Sequence, residues 1–151
     1  MRITALNSAA ICLALTLAAS AADVDAYSRM AKLASSLSEG DAFRAIESFD
    51  RDMPGYHSVV EHIQALTEQT QILCSIDVVT DKEADNPSAD VHHLDLDWYM
   101  TLTSKVEGGP VERRRVRVDV ALRRIKTKSG EDWRIVSLAP VTIFDPIAIS
   151  R

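Results

Sequence analysis

The apolar residues of this chain change their period once, after Gln69, and that change constrains the fold more than any other feature of the sequence. Ahead of it they recur at intervals of three and four, as on one face of a helix; beyond it they alternate, as on one face of a strand. Val24, Tyr27, Met30, Ala31, Ala34 and Leu37 predict a first amphipathic helix. Gly40 suits its C-terminal end and Asp41 the N-cap of a second helix, striped by Phe43, Ile46 and Phe49. The stretch "DRDMPGY" breaks the pattern, and Val59, Val60, Ile63 and Leu66 mark a third helix. Alternation then runs through Ile72, Cys74, Ile76 and Val78, and most clearly through Leu94, Leu96, Trp98, Met100 and Leu102. It continues through Val116, Val118, Val120 and Leu122 and ends in "WRIVSL" after the turn "TKSGED". Three helices followed by a run of strands joined by short polar loops is an α+β pattern with an antiparallel sheet.

The third strand raises a separate question. Residues 111–128 carry eight basic side chains and two acidic ones, which suits either a phosphate track or one face of a sheet. On a strand, Arg113, Arg115, Arg117 and Arg123 share a face with Asp119, while Val116, Val118, Val120 and Leu122 share the other. Asp95 and Asp97 offer a matching polar face on the strand before. A two-residue Gly108-Gly109 turn would set Trp98 against Asp119, which mixes the faces. A three-residue loop would set Asp97 against Asp119. A five-residue loop, Glu107–Val111, pairs Trp98 with Val120 and Asp95 with Arg123, and is the expected register because unlike charges then oppose each other. The arginines are thus read as a solvated or subunit-facing sheet surface, and no nucleic-acid partner is expected.

The first residues have the order of a secretory leader. Arg2 is followed by the small and apolar run "AAICLALTLAA" and by Ala19-Ser20-Ala21, a small-x-small cleavage site. The run is short of the roughly 20 residues of a membrane span, so no stable membrane anchor is expected. Cleavage after Ala21 would leave a single domain, residues 22–151, exported to the periplasm or secreted. It would carry 16 basic and 22 acidic side chains, a net −6, which argues against a general polyanion binder. Cys12 would leave with the leader and Cys74 would stand alone, so no internal disulfide is expected.

The segment "LSEGDAFRAIESFDRDMPGY", the strand "HLDLDWYMTL", the hairpin "KVEGGPVERRRVRV" and the closing "GEDWRIVSL" together resemble the nuclear transport factor 2-like superfamily, in particular its small bacterial members of unassigned function. The resemblance spans nearly all of residues 22–151. It implies three N-terminal helices packed in a strongly curved antiparallel β-sheet, the cystatin-like cone, with an open end that can hold a small molecule. It also implies a homodimer joined through the outer sheet face. Members that isomerise steroids or cyclise polyketides use a pocket Asp as base with Tyr or Asp donors, and dehydratase members use His and Asp; none of their positions transfers here residue by residue.

Candidate residues are therefore few. Asp50, Tyr56 and His57 cluster at the break between the second and third helices and are the catalytic candidates, since a buried carboxylate with a raised pKa can serve as acid or base. The competing reading makes Asp50 and Asp52 turn or cap residues and Tyr56 a packing residue at the helix entry. Tyr27, Tyr56, Trp98 and Met100 are the candidate ligand contacts. The inner sheet face, Ile72, Cys74, Ile76, Leu96, Trp98, Met100, Val118 and Val120, holds no acid or base; it is either a filled core or the wall of an apolar ligand cavity. Cys74 has no base in its own segment and reads as packing. His57 and Glu61 are four apart, but His62 lies about 100° round the helix from Glu61, and His92 and His93 point to opposite faces of a strand. No three ligands gather from spacing alone, so neither a metal nor a cofactor is expected. Three functions remain: a non-catalytic exported domain that binds a small apolar ligand or acts as a dimeric scaffold, an isomerase-like or cyclase-like enzyme with a pocket Asp or Tyr, and an interaction module that uses the charged sheet face. N-terminal sequencing of the protein recovered from its native host is expected to start at Ala22; recovery with Met1 intact from the cytoplasm would exclude the leader.

Overall fold

The computed structural model describes residues 25–148, so the leader and Val24 lie outside the described residues. Helix α1 spans Ala26–Ser38, α2 Ala42–Ile46 and α3 Tyr56–Gln69. The strands are β1 Thr70–Asp81, β2 Val91–Ser104, β3 Val111–Thr127 and β4 Gly130–Ala139, and a 3-10 turn follows at Val141–Phe144. Each strand pairs antiparallel with the next, giving one sheet in the order β1-β2-β3-β4. The helices pack into its concave side, which makes the α+β cone that the sequence implies.

Local chemistry sets the helix ends. Asp25 accepts from the Ser28 N–H at 2.7 Å and caps α1; Asp41 accepts from the Arg44 N–H at 3.0 Å and caps α2. Gly55 enters α3 at φ 78°, a left-handed conformation that glycine adopts without strain. The C-terminal end of α3 is held by Lys105, whose Nζ donates to the Thr67 carbonyl at 2.8 Å.

The buried helical faces differ in part from those expected. On α1 the core residues are Ala26, Met30, Leu33 and Leu37, while Tyr27 is 42% exposed and Ala31 faces solvent. Both sets have helical spacing, and contact with the sheet selects the one richer in large side chains. Helix α2 has only five residues, so the stripe of Phe43, Ile46 and Phe49 does not form: Ala45 is buried, Ile46 is half-buried and Phe43 is 74% exposed. Phe49 is buried beyond the helix end, where its backbone bridges to Ile135. On α3, Val59, Ile63 and Leu66 enter the core as expected and Val60 stays at its edge.

The β2–β3 register also differs. Trp98 lies opposite Val116 rather than Val120, and Asp95 lies opposite Asp119 rather than Arg123. The connection is longer than the expected five residues, running from Ser104, whose N–H donates to the Pro110 carbonyl, to Val111. Side-chain parity is nonetheless as expected, because the shift is by an even number of residues. The like-charge juxtaposition is relieved along the diagonals. Arg117 reaches Asp95 at 3.0 Å and Arg115 grips Asp97 at 3.2 and 2.8 Å. Arg123 turns instead to Asp50, at 2.8 Å.

The cone interior is filled. Leu96, Trp98, Met100, Leu102 and Val118 are fully buried on the concave face. The tail after β4 folds back into the cone, and Phe144 meets Trp98 edge-on at 5.4 Å and Phe49 at 5.9 Å between ring centroids. Arg114 points inward, unlike its neighbours, and donates to the Ile143 carbonyl at 2.9 Å, which pins the turn.

Truncating Trp98 should therefore leave a large cavity and cost about 3–5 kcal/mol, whereas Arg115→Ala, on the solvent face, should barely move the denaturation midpoint. Chemical denaturation of both variants checks this; a larger loss in the arginine variant would mean that the outer face is covered.

Candidate functional site

A bulge creates the most concentrated group of chemical side chains. The β1–β2 register shifts between Val78 and Thr80, leaving Val79 as the extra residue. Without that shift Asp81 would stand opposite His93 and point outward. With it, Asp81 pairs with Leu94 and turns to the concave side, beside His92. Asp81 is nearly buried, with a side chain 5% exposed, and His92 is 6% exposed.

Three donors converge on the Asp81 carboxylate. The Tyr27 hydroxyl donates at 2.6 Å from α1, the Glu83 N–H at 2.9 Å, and His92 Nδ1 lies 3.2 Å from both oxygens. An ionised carboxylate only accepts, so Nδ1 carries a proton, and in a neutral ring Nε2 is the atom left with a lone pair. Nε2 is buried and has no partner among the described residues. Two residues on from Asp81, Glu83 accepts from the His93 N–H and from its Nδ1, both at 2.6 Å. Tyr27, Asp81, Glu83 and His92 border a cavity of about 190 Å³ at the rim of the cone, together with Asp25, Pro87 and Trp133. The Trp133 ring meets His92 edge-on at 5.1 Å, and its other contacts include the Arg124 guanidinium, 5.0 Å from the ring centroid.

The electrostatics of the rim favour charged carboxylates. Burial would raise the pKa of Asp81, but hydrogen bonds from Tyr27, Glu83 and His92 outweigh it and hold the carboxyl below its ordinary value. The same bond to Asp81 pushes the Tyr27 phenol up to about 12. Nearby, Arg29 of α1 is buried and donates to Asp132 of β4 at 2.6 Å, and Arg134 donates to the same carboxylate. Burial opposes ionisation of Asp132, yet the bonds from Arg29, Arg134 and the Trp133 N–H bring it down to about 2.

The candidates singled out from the sequence fall into separate places. Tyr27 reaches the rim cavity, though its ring faces outward rather than into the cone. Asp50 and Tyr56 line a different cleft, of about 630 Å³, bounded also by Phe43, Ile125 and Arg134. There Asp50 accepts from the Asp52 N–H at 2.8 Å, as a turn residue does, and pairs with Arg123. Tyr56 packs edge-on against the exposed His57 ring at 5.7 Å. Trp98 and Met100 are 0% exposed, so no water-sized space touches either, and they pack the core instead of walling a cavity. Burial pushes the Cys74 thiol up to about 12, against a smaller lowering from Trp98, which suits packing and not nucleophilic attack. His92 and His93 do point to opposite faces, but the hairpin gathers Asp81, Glu83 and His92 within 4.8 Å of one another. Residue spacing missed that group because the bulge and the folded-back loop, not a helical or strand period, bring it together.

No protein-family model matches the sequence, and no curated protein matches it. The structure is similar to a ketosteroid isomerase-like protein from Erwinia carotovora atroseptica, with a TM-score of 0.55 and 17% identity over 74% of this chain and 88% of that one. It is similar to a nuclear transport factor 2-like superfamily protein from Salmonella enterica serovar Typhimurium, with a TM-score of 0.52 and 13% identity over 73% and 82% of the two chains. A conserved protein from Planctomyces limnophilus aligns with a TM-score of 0.60 and 11% identity over 74% and 88%. The chain has the nuclear transport factor 2-like fold.

The lowered carboxylates predict the response to acid. A depressed folded pKa contributes stability above the ordinary value, 3.8 for Asp132, that is lost as the pH falls toward about 2. The urea midpoint of the wild type should drop over that interval. Asp132→Asn should start lower at neutral pH, by about 3 kcal/mol because Arg29 is left buried without its partner, and should drop less on acidification. Equal acid dependence in both proteins would exclude Asp132 as its source.

Proposed function

We propose that the chain is a non-catalytic binding domain that takes a small cationic group at the rim of its cone, beside Tyr27, Asp81, His92 and Trp133. The observation that carries this reading is the contrast between a filled interior, where Trp98 and Met100 have no exposure, and a rim cavity bordered by Asp25, Asp81 and Glu83 with no Lys or Arg among the described residues that line it. An apolar ligand of the kind the sequence suggests finds no space against the inner sheet face. A compact cation finds the negative charge of these carboxylates at the rim.

The catalytic alternative draws on the same Tyr27–Asp81–His92 chain, because Asp81 orients the His92 ring as a base-orienting carboxylate would. Two facts weigh against it. The shifted carboxylates Asp81, Glu83, Asp97 and Asp132 are all lowered, whereas an acid-base carboxylate working near neutral pH needs a raised value. His92 Nε2 is also shut away from solvent. As a scaffold, the chain would meet a second copy through the outer sheet face, where Asp95, Asp97, Arg115 and Arg117 alternate in sign and can pair across a two-fold axis.

A thermal-stability screen of small primary amines, quaternary ammonium compounds and metal salts tests the binding reading. Cationic compounds should raise the melting temperature of the wild type and should not raise that of Asp81→Asn. Stabilisation by neutral apolar compounds alone, or equal stabilisation of both proteins, would overturn it.

A further inference from the structure

We propose that Asp81, Glu83 and His92 form a site for one divalent first-row transition ion, the inference resting on the rim cavity as the binding place. One ligand atom from each of the three residues lies within 4.8 Å of the others. His92 Nδ1 stands 3.2 Å from each Asp81 oxygen. Ligands bound at about 2.0–2.2 Å to a common tetrahedral zinc ion are separated by roughly 3.3–3.6 Å, so this edge needs to open by only a few tenths of an ångström, roughly, to admit the ion. Glu83 needs only a short swing from His93 to supply a third ligand.

The surroundings fit the same purpose. Asp81 is oriented by the Tyr27 hydroxyl and by the Glu83 N–H, the outer support that metal-binding carboxylates require. His92 is more than nine-tenths buried, borders the cavity, and its Nε2 has no partner among the described residues. Binding through Nδ1 requires the ring's single N–H to move from Nδ1 to Nε2, with no net loss of a proton from the neutral imidazole. Nε2–H then lies beside the Trp133 ring, whose centroid is 5.1 Å from that of His92. One imidazole with two carboxylates favours zinc, cobalt or nickel over calcium and magnesium, which prefer oxygen alone. The ion itself would be the small cationic group that the rim takes, and the cavity beside it leaves a coordination position for a water molecule.

The test uses the purified chain freed of metal by chelation and titrated calorimetrically with zinc chloride, then with cobalt chloride followed by visible absorption. One zinc ion per chain is expected, with no comparable binding of calcium. Glu83→Gln, at a partly exposed position that leaves the core intact, should weaken zinc binding at least about tenfold. His92→Ala should abolish it, and the His57→Ala/His62→Ala double variant should leave it unchanged. Cobalt should give the absorption of a low-symmetry site containing nitrogen, and this should be lost in Glu83→Gln. The inference is overturned if zinc does not bind, if Glu83→Gln binds it as the wild type does, or if the surface histidine variant loses it. Should zinc fail while organic amines still stabilise the protein in a manner dependent on Asp81, the metal site falls and the rim binding reading stands. Should both fail, both fall.

Discussion

The edge-on contact between Trp98 and Phe144 decides what kind of molecule this is. A curved sheet wrapped round three helices encloses a space that has to be filled by side chains or left for a ligand. Here the tail after β4 supplies the filling: Ile143, Phe144 and Ile147 are all buried, and Arg114 holds the turn by its bond to the Ile143 carbonyl. Interiors pack to crystal-like density, so once Phe144 sits between Trp98 and Phe49 there is no room for a substrate beside them. The cost of burying an arginine in this region is met by Glu112, at 3.0 Å, and by the carbonyl it grips.

With the interior closed, polar chemistry moves to the rim. It is set up by one extra residue, Val79, which reverses the direction of Asp81. The resulting network of Tyr27, Asp81, Glu83 and His92 joins α1 to the β1–β2 hairpin, and the Arg29–Asp132 pair joins α1 to β4. Buried networks of this kind are costly when incomplete, because each unpaired group keeps its full desolvation penalty. Among the described residues Nε2 of His92 is one unpartnered atom here, as Arg29 Nε is in the neighbouring pair, and it lies in a side chain that borders a cavity lined by acids. The residues proposed to bind a ligand also hold α1 to the hairpin, so variants at the rim have to be read with a folding measurement beside the binding one.

The outer sheet face illustrates how charge pairing yields to backbone geometry. Direct opposition of Asp95 and Arg123 looks favourable on paper. The loop geometry instead sets Asp95 opposite Asp119 and Asp77 opposite Asp97. Long arginine side chains reach the diagonal acids, and a weak surface interaction adjusts to a register chosen by the core. An exposed pair contributes little, whereas a shift of two residues would move Trp98, Leu96 and Val118 out of their places in the packed face.

Much of the architecture was readable from local pattern. The order of helices and strands, the inward parity of Leu96, Trp98, Met100, Val118 and Val120, the cap at Asp41 and the outward arginines follow from period, capping chemistry and alternation, which depend on near neighbours in the chain. The face of α1, the shortness of α2, the β2–β3 register, the bulge at Val79 and the Phe144 plug did not. Each is a choice between local arrangements of similar energy, made by contacts between segments far apart in sequence. The rim site belongs to this second group: Tyr27 was visible as a candidate, but Asp81, Glu83, His92 and Trp133 acquire a common role only when a bulge, a folded loop and the start of α1 meet. Sequence by itself determined which elements form and which side of each strand is apolar, because those are matters of periodicity; tertiary structure decided what fills the cone and where its charges gather, because burial is a property of the whole packed chain.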